Sequence, residues 1–146
     1  MGQLDSRLDA VFGSAFNSGP ATEAVVASAE STLGLRFPTS YRRFLKRYGA
    51  SLCFGFEIYG LPPDPGPGEQ PQWSNVTEST LRLRPTCLPK NSIAIAHDGM
   101  DHGFFLQCSL SDASFEGPVI EWGPRHGGGK IIAATFMDFV EQQSCC

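Results

Sequence analysis

The chain has 146 residues and a formal net charge of −4, with 41% hydrophobic and 18% charged residues. That length suits one domain with a real core, the mild acidity speaks against a nucleic-acid-binding chain, and no apolar run approaches a membrane span. The 16 glycines and 11 prolines predict that loops occupy much of it.

In chain order, Leu4, Leu8, Val11 and Phe12 predict a short amphipathic helix, broken by Asn17-Ser18-Gly19-Pro20. Thr22 is placed to cap a second helix with Val25, Val26, Ala29 and Leu33 on one face, and Gly34 to end it in the left-handed conformation. Pro38 starts a third helix, where its missing N–H costs nothing. Tyr41, Phe44, Leu45 and Tyr48 recur at helical spacing, and Gly49 stops the helix. Phe54, Phe56 and Ile58 alternate with period two, predicting a strand over Leu52–Tyr59. Residues 62–74 are too rich in proline and glycine for helix or ladder and form an exposed loop ending near Trp73.

Asn75 caps a short helical stretch through Leu83. Ile93–Ala96 and Gly103–Cys108 read as strands joined by a turn holding Asp98-Gly99-Met100-Asp101, and Val119–Trp122 and Lys130–Ala133 as further strands. Thr135 followed by Asp138 opens the last helix, Phe136–Gln143. Helices first, strands in the middle and one helix last predict an α+β fold, not a βαβ alternation. The whole chain, 1–146, reads as one domain, with residues 144–146 as a tail.

Five cysteines (Cys53, Cys87, Cys108, Cys145, Cys146) form an odd set with no C-x-x-C pair, which fits neither a secreted disulfide framework nor a zinc ribbon. Residues 1–16 lack a basic start and an apolar signal core, so a cytoplasmic location is expected. Charge is segregated: residues 36–90 carry eight bases and four acids, whereas residues 91–146 carry seven acids and two bases. Such segregation permits oppositely charged faces.

No motif completes a catalytic set. Arg42, Arg43, Lys46 and Arg47 make a basic helical stripe that suits phosphate, but reads better as a solvated face opposite a core face. His97-Asp98-Gly99-Met100-Asp101-His102 misses a metal-hydrolase pattern by one histidine, so no metal is expected. His126-Gly127-Gly128-Gly129 resembles an oxyanion loop without its nucleophile elbow, and Gly128-Gly129-Lys130 lacks the hydroxyl residue of a phosphate loop. Trp73, Asp98, Asp101, His102, Trp122 and Arg125 are the candidate partner-binding residues, since Trp and Arg favour interface hot spots and loops gather binding residues. Trp122 reads equally well as core.

One ordered set of short motifs runs through the chain. It comprises Ala29-Glu30, Leu33-Gly34, Phe37-Pro38, Tyr41, Phe44-Leu45 and Gly49, then Tyr59-Gly60-Leu61, Ile93 with Ile95, and Asp98-Gly99. Phe104-Phe105-Leu106, Gly117-Pro118-Val119, and Phe136 with Phe139 complete it. The set resembles the SUKH superfamily, which includes a fungal cell-wall-synthesis regulator and many bacterial toxin-immunity proteins. The resemblance covers about 22–143. It departs at Ala50-Ser51, where the family often has a further glycine, and at the unusually glycine-rich stretch 123–129.

The resemblance implies N-terminal helices packed on a central, mainly antiparallel sheet with a C-terminal helix. It makes Glu30, Gly34, Pro38, Tyr41, Gly49 and Gly60 structural. Glu30 is expected to pair with Arg36 or an arginine of the next helix; a catalytic acid is the alternative, with no second carboxylate at useful spacing. The implied function is that of an immunity protein without catalysis or cofactor, which neutralises a cognate toxin, such as a nuclease-type effector, by stoichiometric association. Asp98, Asp101, Asp112, Glu116 and Glu121 would offer an acidic surface to a basic cleft. The alternative is an intracellular regulatory or scaffold module. Neither reading calls for direct nucleic-acid or membrane contact, and the chain is expected to be a monomer or weak homodimer.

Overall fold

The computed structural model describes residues 3–53, 56–63, 74–83, 90–97, 103–112, 114–123 and 129–144. Among these the order is α1 (Gln3–Phe12), β1 (Phe16–Asn17), α2 (Glu23–Leu33), α3 (Thr39–Tyr48), β2 (Ser51–Cys53), β3 (Phe56–Ile58) and α4 (Val76–Leu83), then β4 (Ser92–His97), β5 (Gly103–Gln107), β6 (Val119–Trp122), β7 (Lys130–Ala133) and α5 (Phe136–Ser144). The strands form a single sheet in the order β1-β2-β3-β4-β5-β6-β7, every neighbouring pair antiparallel. The fold is α+β.

Local chemistry sets the helix ends. Thr22 Oγ1 accepts from the Val25 N–H, Asn75 Oδ1 from Thr77 and Glu78, and Thr135 Oγ1 from Asp138, each satisfying N–H groups that the helix itself leaves unpaired. Gly34 closes α2 at φ 72°, ψ 32°, its N–H donating to the Glu30 carbonyl. α3 is capped from a distance. Pro38 has no capping side chain, and the Glu116 carboxylate instead accepts from Ser40 N–H at 2.9 Å and Ser40 Oγ at 2.6 Å. A carboxylate there also opposes the positive end of the helix dipole.

One core holds most of the apolar mass. Leu8 and Phe12 of α1, Val26 and Leu33 of α2, Tyr41, Phe44 and Leu45 of α3, and Phe136, Phe139 and Val140 of α5 pack with Ile58, Ile93, Ile95, Leu106 and Val119 on one sheet face. Phe12, Phe44, Tyr41 and Phe136 touch as a chain of rings with centroids 4.8–5.7 Å apart, a range that favours tilted and edge contacts. The Tyr41 hydroxyl, wholly buried, donates to the Tyr59 carbonyl at 2.6 Å. Burial holds that phenol protonated, far above its ordinary range.

Gly49 and Gly60 meet backbone to backbone. Leu61 N–H donates to the Gly49 carbonyl at 3.0 Å, and a Cβ on Gly60 would overlap that carbonyl oxygen. Only glycine fits there. The next residues continue the crossing: Val76 N–H donates to the Gly60 carbonyl at 2.8 Å, bringing α4 against the sheet.

Two expectations need correction. The span Leu52–Tyr59 is not one strand but two, β2 and β3, folded on each other with Ser51 opposite Ile58 and Cys53 opposite Phe56. Period-two alternation is shared by a strand and a tight hairpin, so Phe56 and Ile58 fitted both readings. Asn17, read as part of a break, lies in edge strand β1 with Phe16 opposite Leu52. There Asn17 Nδ2 donates to the Phe12 carbonyl at 3.0 Å, pinning the turn after α1.

Candidate functional site

The basic stripe of α3 is partly solvated, and every base in it is paired within the fold. Arg43 pairs with Asp5 (Nη2–Oδ2 2.5 Å) and Arg47 with Asp9 (2.8 Å), both carboxylates coming from α1. Lys46 and Arg42 share Glu23 of α2, each at 2.8 Å. The spacing of four residues on both α1 and α3 makes the first two pairs successive rungs. Glu23 is drawn down to about 2, first by its hydrogen bond to Arg42 and then by Lys46. Each base of the stripe therefore meets a carboxylate within the fold, which removes the uncompensated positive potential that phosphate binding requires.

Glu30 sits beneath this layer, 4% exposed. Its Oε2 accepts from the Phe37 N–H at 2.9 Å, and its Oε1 lies 3.1 Å from Arg42 Nη2 and 3.6 Å from Arg36 Nη1. One buried carboxylate thus ties the end of α2, the α2–α3 connection and α3 together, and hydrogen bonds satisfy its charge as burial demands.

The opposite sheet face is the candidate docking surface. Register places Ala94, Phe105, Ile120 and Ile131 in one row across β4–β7, and His97, Gly103 and Trp122 in the next. Ala94 and Phe105 anchor a second apolar cluster joined by Tyr59, Leu83 and Trp122. The Trp122 and Phe105 rings are 5.9 Å apart. Gly103 lies opposite Trp122 on β5, and on the other side a Cβ on Gly129 would strike the indole, so the ring packs over a position that a side chain would fill.

α4 brings Leu83 against this cluster, and its buried Thr80 Oγ1 accepts from the Ala94 N–H at 3.0 Å. Ile131 is 65% exposed, and at the other edge Phe16 and Leu52 are 68% and 49% exposed. Tyr59 adds a phenol held above its usual range by burial and by nearby Glu57, with Arg82 opposing. The face is apolar and aromatic, the composition of an interface core.

Of the sequence candidates, Trp122 lies on this face, half-buried. Trp73, Asp98, Asp101, His102 and Arg125 lie outside the described residues. Phe105, Ile120 and Ile131 were not among the candidates. Their signal was apolar residues of both parities in Val119–Trp122 and Lys130–Ala133, which marks a strand with two apolar faces.

Of the late-chain carboxylates expected to form an acidic surface, Asp98 and Asp101 lie outside the described residues, and Asp112, Glu116 and Glu121 are placed apart. Glu116 is spent on the N-terminus of α3. Asp112 accepts from Ser114 N–H and Oγ in its own turn, beyond the C-terminal end of β5. Glu121 points to the face opposite Trp122, with Lys130 across from it. Among the described residues, no three His, Cys, Asp or Glu side chains converge to hold a metal. No described helix is long and apolar enough to cross a membrane.

Among the described residues, a seven-strand antiparallel meander with helices layered on one face and an aromatic cluster on the other defines an α+β domain. The SUKH_5 family model, described as SMI1-KNR4 cell-wall, matches residues 8–144, and the chain belongs to that family. No curated protein matches the chain.

Proposed function

We propose that this protein acts by stoichiometric association with another protein, as an immunity protein that neutralises a cognate bacterial toxin. The observation that carries the reading is the apolar row of half-buried Ile120 and Trp122 and exposed Ile131, laid over buried Phe105 on the sheet face away from the main core. An exposed apolar surface of this kind marks a macromolecular contact. Trp122 is its anchor. Asp98, Asp101 and His102 follow His97 in the chain, Arg125 follows Trp122, and Trp73 precedes Ser74, whose N–H donates to Glu57 at 2.6 Å. These five contribute to the same partner contact, where charge steers encounter with a basic, nuclease-type cleft. The protein works in the cytoplasm as a monomer or weak homodimer.

Co-expression with the C-terminal domain of the neighbouring gene tests the reading, scored by growth rescue and co-purification. Ile131→Asp is expected to abolish both without lowering Tm, and Asp98→Lys with Asp101→Lys to slow association in a salt-dependent way. Full rescue by the Ile131 variant would discard this face as the interface. The family description, SMI1-KNR4 cell-wall, favours a second reading as an intracellular regulatory module. Under that reading no neighbouring toxin is neutralised, yet Ile131→Asp still abolishes capture of an intracellular partner.

A further inference from the structure

We propose that α1 is an electrostatic strap: a short helix that ionic strength releases from the trough between α3 and α5 while the rest of the fold stays closed. α1 has ten residues and buries only Leu8 and Phe12 completely, with Leu4 and Val11 packed at the edge. A helix of that length is marginal without tertiary support.

Asn17 Nδ2 holds its last carbonyl, and its ionic fastenings lie on both flanks. Asp5 and Asp9 meet Arg43 and Arg47 of α3, with the Tyr48 hydroxyl donating to Asp9. On the other flank Arg7 is bidentate to Glu141 at 2.9 and 2.5 Å and lies 3.6 Å from Asp138, both on α5. These are the charged groups that face α1 from both described helices packed against it. Most are open to water: Arg43 is 41% exposed, Asp9 53%, Arg7 45% and Glu141 37%. Such pairs are screened by salt, whereas the buried ring contacts of α3 and α5 are not.

Release lifts Phe12 from Phe44 and Tyr48, now 4.8 and 5.4 Å away. It opens an aromatic trough with a basic rim (Arg43, Arg47) and an acidic rim (Asp138, Glu141). The strap acts at the helical layer, on the opposite side of the sheet from the docking face.

The test is hydrogen exchange on the full chain at about pH 7, in about 0.02 M and about 0.5 M sodium chloride, which bracket the Debye length of ~10 Å. Amides of residues 8–12 are expected to exchange about tenfold faster at high salt, while those of α3 and β4–β5 hold their protection. Arg43→Gln with Arg47→Gln should reproduce that exposure at low salt. The charge-swapped chain (Asp5→Arg, Asp9→Arg, Arg43→Glu, Arg47→Glu) should restore both protection and its salt dependence. Equal protection of α1 at both salts overturns the strap, as does loss of α1 protection only together with α3. Should the double variant fail to fold, the salt series on the unaltered chain decides.

Discussion

The hydroxyl of Tyr41 on α3 reaches the carbonyl oxygen of Tyr59 at 2.6 Å, joining the helical layer to the segment that crosses Gly49. The carbonyl is the acceptor, so deleting the donor leaves a buried oxygen unpaired. Tyr41→Phe is expected to cost about 1–3 kcal/mol with an unchanged denaturant slope, read from urea unfolding. A midpoint equal to that of the parent chain would show that water replaces the lost donor.

Glu30→Gln keeps an acceptor for the Phe37 N–H but removes the charge that faces Arg42. Arg42 retains Glu23 and is 22% exposed, so the loss is smaller than for a fully buried pair. The expected destabilisation is about 1–2 kcal/mol, and Glu30→Ala should cost more because the Phe37 N–H then loses its acceptor. Thermal unfolding of the two variants ranks them, and an unchanged Tm for Glu30→Gln would refute the ionic role.

Gly60→Ala and Gly34→Ala separate two uses of glycine. At Gly34 a Cβ meets nothing within 4 Å and only the φ of 72° opposes it, costing about 1–2 kcal/mol. At Gly60 the obstacle is the backbone of Gly49, which cannot rotate aside. Gly60→Ala is therefore expected to prevent stable folding under conditions where Gly34→Ala still gives a cooperative transition by circular dichroism.

Stability should fall on the acid side. Asp5, Asp9, Glu23 and Glu141 all titrate below their ordinary values, chiefly through hydrogen bonds to Arg43, Arg47, Arg42 and Arg7 respectively. Depressed folded values mean that stabilisation is complete above the unfolded pKa and is lost as pH falls through the folded one. For Glu23 the window runs from 4.5 to about 2. Urea midpoints measured across that range should decline with falling pH, and Asp9→Asn with Glu23→Gln should flatten the decline.

How much of this was legible depended on distance along the chain. The caps at Thr22, Asn75 and Thr135 each act over two or three residues, and the apolar spacing of α3 lies within three turns, so both could be read directly. The α+β order of elements followed from the same local signals. Of the candidate site, the strands around Trp122 were legible, but which side chains share its face was not. That depends on register between strands, and residues such as Ile120 and Ile131 meet only when β6 and β7 pair.

By itself the sequence determined where helices begin and end, which residues are apolar enough for a core, and the motif order that marks the family. Tertiary structure alone decided that Glu116 caps a helix 76 residues earlier, that Arg7 finds Glu141 across 134 residues, and that the basic stripe of α3 is neutralised. The physical reason is that an ion pair or a cap from afar leaves no periodicity in the chain. Its energy depends on separations of about 3 Å that exist only after the layers have packed.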